Sequence, residues 1–222
     1  QEAARSVSSW LNYRQFVEHP GHKCPKCWLL LQHCCCMGMP KLQLRPRVLV
    51  VMHHLELGKH LGSNTGKLLL HFGAELVAWG VEEHAANLEL ALAQDPRSTL
   101  ILFPGPGAIK ACDVVAGCGG VAFPPQTIVV LDGGWRECKR INDGIDSQIQ
   151  RCVVTTATRQ EYGGTRKYGT ADASRVQTAA AFVALMEELR EEQQQVEALK
   201  AGLAHFMSCW EQQINRSKTW VT

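Results

Sequence analysis

The sequence predicts an α/β fold in which a mostly parallel sheet is flanked by helices. Three apolar runs, each of a length suited to one buried strand, lie at residues 48–52, 99–103 and 128–131. Segments with helical patterns separate these runs, and such alternation is typical of parallel sheets. Since ligands of open α/β sheets bind beyond the carboxyl ends of the strands, the loops that follow these runs are the first candidates for a site.

Composition limits the classes of protein that fit. With 222 residues, the chain is long enough for one sizeable domain, or for a domain with a small appendage. The formal net charge is only +2, so no global basic field indicates nucleic-acid binding, although a local basic patch remains open. No apolar run approaches the roughly 20 residues that span a bilayer. We therefore expect a soluble protein. A secreted disulfide scaffold would be shorter and its cysteines more evenly spread, so we expect an intracellular location, cytoplasmic or nuclear, with an organellar location and the oligomeric state left open.

The N-terminal region divides into a polar lead-in with a short helical tendency, residues 1–18, and a predicted zinc knuckle, residues 19–40. Of the ten cysteines, Cys24, Cys27, Cys34 and Cys36 have the spacing C-x2-C-x6-C-x-C. Two pairs of thiolates brought together by a short hairpin suit the tetrahedral coordination of structural zinc. His22 and His33 are possible substitute ligands, and a reduced, metal-free cluster is the alternative.

The middle of the chain continues the alternation of strands and helices. A helix is predicted to start near Thr65, with Ser63 or Asn64 as its cap. Gly66-Lys67 resembles the end of a phosphate loop, but Leu68 stands where that motif requires Ser or Thr, which excludes a P-loop ATPase. The further predicted elements are a strand at 74–80, a helix at 82–94, a helical segment at 109–115, a helix at about 136–142 and a strand at 152–155.

The C-terminal part has a basic, glycine-rich loop at 163–170, followed by a strongly helical stretch from 173 to about 215. Apolar residues recur along that stretch at helical spacing. We expect the helix to break near Gly202.

The strand at 128–131 runs directly into Asp132-Gly133-Gly134-Trp135. Asp132 can accept a proton or a hydrogen bond, the glycines allow close approach of a ligand, and Trp135 can stack on a planar base. The alternative is an ordinary strand-to-helix turn in which Asp132 caps the helix and Trp135 packs in the core.

Several motifs together resemble the DTW-domain family, over about residues 22–206. The four cysteines match that family's cysteine cluster, and Ser63–Leu69 is similar to its T-N-T-G-[RK]-L-L stretch. Asp132–Trp135 corresponds to the D-G-T-W sequence that gives the family its name. Weaker similarities are His53–Glu56 to a strand end with His and Glu, Phe103-Pro104 to a Y-P loop, and Val176–Ala181 to L-S-T-x-E-A.

The resemblance implies a tRNA-uridine aminocarboxypropyltransferase related to the SPOUT-type RNA methyltransferases. Residues 41–222 would then be the catalytic domain, with a SPOUT-like knotted C-terminal half. The enzyme would transfer the 3-amino-3-carboxypropyl group of S-adenosylmethionine to N3 of a tRNA uridine and release methylthioadenosine.

The resemblance also implies roles for individual residues. Asp132 is the candidate general base, or orients the uridine, and Trp135 would stack on it. The residues expected to hold S-adenosylmethionine are Asn64, Thr65, Gly66, Leu102, Pro104, Gly105, Leu131, Thr170, Val176 and Thr178. Those expected to contact RNA phosphates, unless they form only a solvated face, are Arg136, Lys139, Arg140, Arg166 and Lys167.

Two departures from the family pattern keep other functions open. Gly134 replaces a threonine, and Ala180 replaces a glutamate, with Gln177 in place of a serine. One alternative is an RNA methyltransferase that uses the same cofactor in another orientation. The other is a catalytically inactive, zinc-containing RNA-binding protein.

Overall fold

A parallel sheet forms the centre of the protein, as the sequence predicts. Within the described residues it has six strands, one more than predicted, because Ile109–Lys110, which was expected to begin a helical segment, pairs with a neighbouring strand, and the helix there begins only at Ala111. The computed structural model describes residues 2–60, 62–156 and 176–218. The strands are β1 (Arg47–Met52), β2 (Glu75–Ala78), β3 (Thr99–Leu102), β4 (Ile109–Lys110), β5 (Thr127–Asp132) and β6 (Gln150–Val153). Their order across the sheet is β2-β1-β5-β3-β6-β4, and each pairing is parallel.

Strand β5 lies in the middle of the sheet, between β1 and β3. The register places Asp132, its last residue, beside Met52 of β1. Val129 and Val130 are almost completely buried. Because β5 is covered on both faces and paired on both edges, its sequence is a continuous apolar run and does not alternate between apolar and polar residues.

Helices cover both faces of the sheet. Those in the described residues are α1 (Glu2–Glu18), α2 (His54–Lys59), α3 (Lys67–His71), α4 (Glu82–Gln94), α5 (Ala111–Val115), α6 (Trp135–Asp143), α7 (Thr178–Glu188) and α8 (Gln193–Lys218). One core contains Val50 together with residues of α3, α7 and α8. The other contains Val51 together with residues of α4 and α6. No helix of the described part is both long enough and apolar enough to cross a membrane.

The break in the C-terminal helical stretch lies elsewhere than predicted. Helix α7 ends at Glu188 and α8 begins at Gln193, whereas Gly202 lies inside α8. Arg190 takes up a left-handed backbone conformation, with φ 55°, between the two helices. A Cβ atom at Gly202 would come within 2.6 Å of Cζ of Phe72. The glycine therefore permits close packing of α8 and does not end the helix.

The N-terminal helix is longer than the short helical tendency that the sequence indicates. Helix α1 covers 17 residues, and the ring of its Trp10 lies edge-on to His84 of α4, with centroids 4.4 Å apart. Phe16 stacks on His60 at 4.2 Å. These contacts with distant segments stabilise a helix whose local sequence is only weakly amphipathic.

Candidate functional site

The carboxyl ends of three neighbouring strands meet at one edge of the sheet. Leu102 ends β3 beside Val130 of β5, and Cys152 of β6 lies on the other side of Leu102. Since all strands are parallel, the segments after β3, β5 and β6 leave the sheet on the same side. This arrangement is the one in which α/β proteins bind ligands.

A cavity of about 290 Å³, here called the strand-end cavity, lies between these strand ends and α7. Its volume is close to the lower limit of about 300 Å³ that is usual for small-molecule sites. The residues that line it are Leu102, Phe103, Pro104, Val130, Leu131, Gly133, Trp135, Cys138, Val153, Val154, Val176, Thr178 and Ala181. The walls are mostly apolar. Trp135 is 39% exposed and its ring centroid lies 6.2 Å from that of Phe103.

Asp132 lies at this edge of the sheet with only 3% of its surface exposed. Its Oδ1 accepts a hydrogen bond of 2.7 Å from the Thr178 hydroxyl, and its Oδ2 accepts one of 2.6 Å from Nδ2 of Asn64. An ionised carboxylate only accepts hydrogen bonds, so the Thr178 proton points towards Asp132. The lone pairs of the Thr178 oxygen are then available to a ligand in the strand-end cavity.

Asn64 connects Asp132 to a second carboxylate and to the start of α3. Its Nδ2 also donates to Oε2 of Glu56 at 2.8 Å. Its Oδ1 accepts a hydrogen bond of 3.0 Å from the backbone nitrogen of Lys67, the first residue of α3, although that helix begins two residues later than predicted and its N-cap residue is Gly66. Both hydrogens of one amide nitrogen thereby bind two acidic side chains, one each.

Gly66 allows this arrangement because it has no side chain. A Cβ atom at this position would overlap the carboxylate of Asp132. The adjacent Thr65 accepts a hydrogen bond of 3.4 Å at Oγ1 from the backbone nitrogen of Ala179, which ties the same loop to α7. The stretch Asn64–Gly66 therefore positions Asp132 and α7.

Lys67 extends away from the strand-end cavity into the protein interior. Its Nζ donates to the carbonyl oxygen of Gly62 at 2.9 Å and lies about 5 Å from the ring centroids of Trp28 and Phe206. Burial lowers the pKa of Lys67 to about 7. A buried amine enclosed by aromatic rings is no phosphate ligand, which agrees with the exclusion of a P-loop.

Five of the ten residues predicted to hold the cofactor line the strand-end cavity, and the four others that the structure describes do not. Leu102, Pro104, Leu131, Val176 and Thr178 line the strand-end cavity. Asn64, Thr65 and Gly66 surround Asp132 and α7 instead, Gly105 is exposed beyond Pro104, and Thr170 lies outside the described residues.

Sequence reasoning missed part of the wall of the cavity. Val153 and Val154, at the end of β6, were not among the predicted site residues, nor were Cys138 of α6 and Ala181 of α7. The rule that parallel strand ends share one edge would have indicated Val153 and Val154. Burial raises the pKa of Cys138 to about 12, so its thiol is a neutral wall group at physiological pH.

Three of the predicted RNA-contacting residues lie together on the exposed side of α6. Lys139 forms an ion pair with Asp143 at 2.7 Å, and Arg140 lies 3.7 Å from Glu2 of α1. Arg136 is exposed in the first turn of the helix. Arg166 and Lys167 lie outside the described residues.

The four predicted zinc ligands converge as the sequence indicates. All four sulfur atoms lie within 4.8 Å of one another, with Cys24 and Cys36 at 3.5 Å and Cys27 and Cys34 at 3.8 Å. A tetrahedral zinc with Zn–S bonds of about 2.3 Å separates its sulfurs by about 3.8 Å, so the set fits this ion. The set contains neither His22 nor His33.

The surroundings of the cysteine cluster also suit a metal. Hydrogen bonding with Cys35 lowers the pKa of Cys27 to about 4, which favours the thiolate form that binds metals. Burial instead raises the pKa of Cys36, so a nearby cation is needed to ionise all four thiols. Nε2 of His71 lies 3.1 Å from the Cys36 sulfur. Such a histidine can orient a ligand from outside the coordination sphere.

Comparison with known proteins decides the family. The family model described as the DTW domain matches residues 21–211, which is most of the chain. The chain belongs to the DTW-domain family. This family is associated with tRNA modification. No curated protein and no solved structure matches the chain.

The two departures from the DTW pattern occupy different environments. Gly134 precedes α6 and is exposed, and a Cβ atom there would overlap a carboxylate oxygen of Glu137. Glu137 is a flexible side chain, so the position can accommodate a larger residue after a small shift. Ala180 is completely buried in α7 and does not line the strand-end cavity.

Proposed function

We propose that this DTW-domain protein transfers the 3-amino-3-carboxypropyl group of S-adenosylmethionine to N3 of a uridine in tRNA. The observation that carries the proposal is the Thr178 hydroxyl, which lines the strand-end cavity and donates a hydrogen bond to the buried Asp132. The DTW family's association with tRNA modification supplies the substrate class.

The chain's own residues suit the cofactor in three respects. The apolar walls formed by Leu102, Leu131 and Val176 can enclose an adenine ring, and Thr178 offers a polar contact among them. When bound, S-adenosylmethionine would supply a sulfonium with three carbons open to attack. The protein would select the aminocarboxypropyl carbon by the orientation in which the cavity holds the molecule.

Asp132 and Thr178 would together remove the proton from uridine N3. The lone pairs of the Thr178 oxygen can accept that proton while the hydroxyl passes its own proton to Oδ1 of Asp132. Asn64 would hold Asp132 in place through its second oxygen. Trp135, partly exposed at the cavity, would stack on the uridine, a contact that is typically worth about 1–3 kcal/mol.

The remaining parts of the proposal concern the RNA, the metal and the chain topology. Arg136, Lys139 and Arg140 would contact phosphates of the tRNA from the exposed side of α6, together with Arg166 and Lys167. Cys24, Cys27, Cys34 and Cys36 would hold a structural zinc ion, since a four-thiolate site leaves no open position for catalysis. The C-terminal half would carry a SPOUT-like knot.

The test is nucleoside mass spectrometry of unmodified tRNA after incubation with the protein and S-adenosylmethionine. We expect a gain that matches one aminocarboxypropyl group on uridine. Asp132→Asn and Thr178→Val should each reduce the rate about 100-fold or more, which is the usual scale of a general base. Thr127→Val is the matched control, since Thr127 lies at the N-terminal end of the same strand, far from the strand-end cavity.

Other outcomes would favour the alternatives. A methyl-sized gain would indicate an RNA methyltransferase. If tRNA bound without any gain in mass and S-adenosylmethionine did not bind, the protein would be an inactive RNA-binding member of the family, with Gly134 and Ala180 as the first positions to restore.

A further inference from the structure

A second depression, here called the corner pocket, lies where α1, α2 and α6 meet. It has a volume of about 380 Å³ and is lined by Glu2, Arg5, His53, His54, Leu55, Glu137 and Arg140. The corner pocket adjoins the strand-end cavity through Gly133, which lines that cavity and whose Cβ position would lie 3.2 Å from Cβ of His53. The backbone nitrogen of His53 also donates to the Asp132 carbonyl oxygen at 2.9 Å. The proposed uridine site and the corner pocket therefore lie on opposite sides of the turn that contains Asp132 and Gly133.

The protonation of His53 determines what this pocket can bind. Nδ1 of His53 accepts a hydrogen bond of 3.3 Å from the backbone nitrogen of Leu55. A neutral imidazole with Nδ1 as acceptor carries its proton on Nε2. Nε2 of His53 is therefore a donor, and among the described residues it has no hydrogen-bond partner, although only 2% of His53 is exposed.

The carboxylate of Glu2 marks where an anion would bind. Its Oε1 lies 3.7 Å from Nε2 of His53 and 3.7 Å from Nη1 of Arg140. Both distances are too long for good hydrogen bonds, so the donors attract the carboxylate without being satisfied by it. Glu2 is 55% exposed and stands in the first turn of α1, so a stronger anion can displace it.

The hydrogen bonding of His53 favours an anion over a metal ion in this pocket, and a net positive charge arises once Glu2 has moved aside. Arg5 and Arg140 are cationic, Glu2 and Glu137 are anionic, and burial lowers the pKa of both His53 and His54. Glu2, His53 and His54 lie close enough together for three metal ligands. However, a histidine that binds a metal through Nε2 usually donates a hydrogen bond from Nδ1 to a neighbour, and Nδ1 of His53 instead accepts one from the backbone nitrogen of Leu55.

We infer that the corner pocket binds a backbone phosphate of the RNA substrate, through Nε2 of His53 and the guanidinium groups of Arg5 and Arg140, after Glu2 has moved aside. The inference rests on the proposed function for its choice of RNA as the source of the phosphate. An RNA that places a base against Trp135 would pass its chain over α6, where Arg140 stands. The pocket would fix the register of the RNA beside the reacting uridine.

Binding of tRNA, measured without S-adenosylmethionine at several salt concentrations, tests the inference. Arg140→Gln and Arg5→Gln should each weaken binding about tenfold, the scale of one lost charge-assisted hydrogen bond. Each should also reduce the salt slope of log K by about 0.7–0.9, the contribution of one phosphate contact. Glu2→Gln should tighten binding, because the competing carboxylate is gone. Arg97→Gln is the control, since Arg97 is exposed before β3, at the opposite edge of the sheet.

Side-chain ¹⁵N NMR of the histidines gives a second readout, which does not depend on the RNA. We expect the neutral His53 to carry its proton on Nε2, and inorganic phosphate to shift the His53 signals but not those of His84. His84 is a suitable reference because its Nδ1 also accepts a backbone hydrogen bond, from Ala78 at 3.2 Å.

The outcomes separate this inference from the proposed function. Transfer activity with unchanged tRNA binding in Arg5→Gln and Arg140→Gln would overturn the inference alone. Weaker binding in both variants without any transfer would support the pocket and overturn the proposed function. If phosphate shifted the His53 signals but both arginine variants bound tRNA with unchanged affinity, the pocket would bind free anions and not the RNA, and the inference would be overturned. The inference would also be overturned, in favour of a metal site, if neutral His53 carried its proton on Nδ1. The same would follow if further zinc, added to protein whose cysteine cluster already holds zinc, shifted the signals of His53 and His54.

Discussion

At the scale of single residues, the candidate site depends on how three segments hold one carboxylate. Asn64 and Thr178 each donate to one oxygen of Asp132, across 68 and 46 positions of sequence, and Gly66 gives the same carboxylate room. A buried carboxylate is stable only when such donors replace its water. Asp132 therefore has a fixed orientation before any ligand binds.

Replacing Gly66 with alanine tests this close approach. Gly66 has ordinary helical backbone angles, so alanine alone would stabilise the protein by about 0.4–1 kcal/mol through the unfolded state. The added Cβ would collide with Asp132, which is held at both oxygens, and such overpacking costs about 1–3 kcal/mol. We expect Gly66→Ala to lower the free energy of unfolding in urea by about 1–2 kcal/mol.

Gly105→Ala is the matched control for stability. A Cβ atom at Gly105 would meet nothing closer than 3.9 Å, and the backbone there does not require glycine. Its unfolding free energy should stay within about 0.5 kcal/mol of the parent protein, as for most exposed substitutions. An equal stability of the two variants would show that Asp132 can move away from Gly66.

The sequence predicted several of the residues that meet at this end of the sheet, but not the hydrogen bonds among them. Asp132, Trp135 and Thr178 were predicted from strand ends and from the family pattern, and the structure brings them together at the strand-end cavity. The hydrogen bonds from Asn64 to Asp132 and Glu56 depend on how α3 packs against β5, which no local pattern contains. The corner pocket was missed for the same reason, because Glu2 and Arg5 come from a helix packed against distant residues.

At the scale of elements, the segment that contains the cysteine cluster forms hydrogen bonds with the C-terminal helix α8. The backbone nitrogen of Leu30 donates to Oε1 of Gln213 in α8 at 2.8 Å. His205, also in α8, lies 3.0 Å from the carbonyl oxygen of Cys35 through its Nε2. These contacts help to position α8, which packs beside α7, the helix that carries Thr178.

Removing the proposed zinc should loosen α8 before it unfolds the sheet. We expect one zinc per chain by elemental analysis, lost in Cys27→Ser, and faster hydrogen exchange in α8 of that variant while β1 and β5 stay protected. Cys112→Ser is the control, because Cys112 is an exposed cysteine outside the cluster. Full zinc content in Cys27→Ser, or unchanged exchange in α8, would contradict this role.

Elements with a clear local sequence pattern were predicted well, whereas features that depend on contacts with distant segments were not. The strand β5 and the helix α4 were predicted within one residue of their observed limits, since one is buried on both faces and the other shows regular periodicity. The break between α7 and α8 was misplaced because Gly202 suggested a helix end. Its absent side chain instead makes room for Phe72.

At the scale of the whole molecule, burial of histidines links folding to pH. Burial is the main cause that lowers the pKa of His53, His54, His60 and His84, which come from separate parts of the fold. In the unfolded chain these side chains take up protons around a pKa of about 6.5. The folded protein must therefore keep several imidazoles neutral at a pH where the unfolded chain charges them.

This difference predicts that stability falls as the solution is acidified. At pH values below about 6.5 the unfolded chain binds more protons than the folded one. The free energy of unfolding therefore decreases as the pH falls through this range. Urea unfolding at pH 7.5 and at pH 5.5 should show a clear loss at the lower value. His84→Gln should show a smaller loss, because glutamine can still accept the hydrogen bond from Ala78 but does not titrate. Acid release of zinc would act equally on both proteins, so the difference between them isolates the histidine. If the two proteins lost the same amount, His84 would already be protonated in the folded state, and burial would not be what limits acid stability.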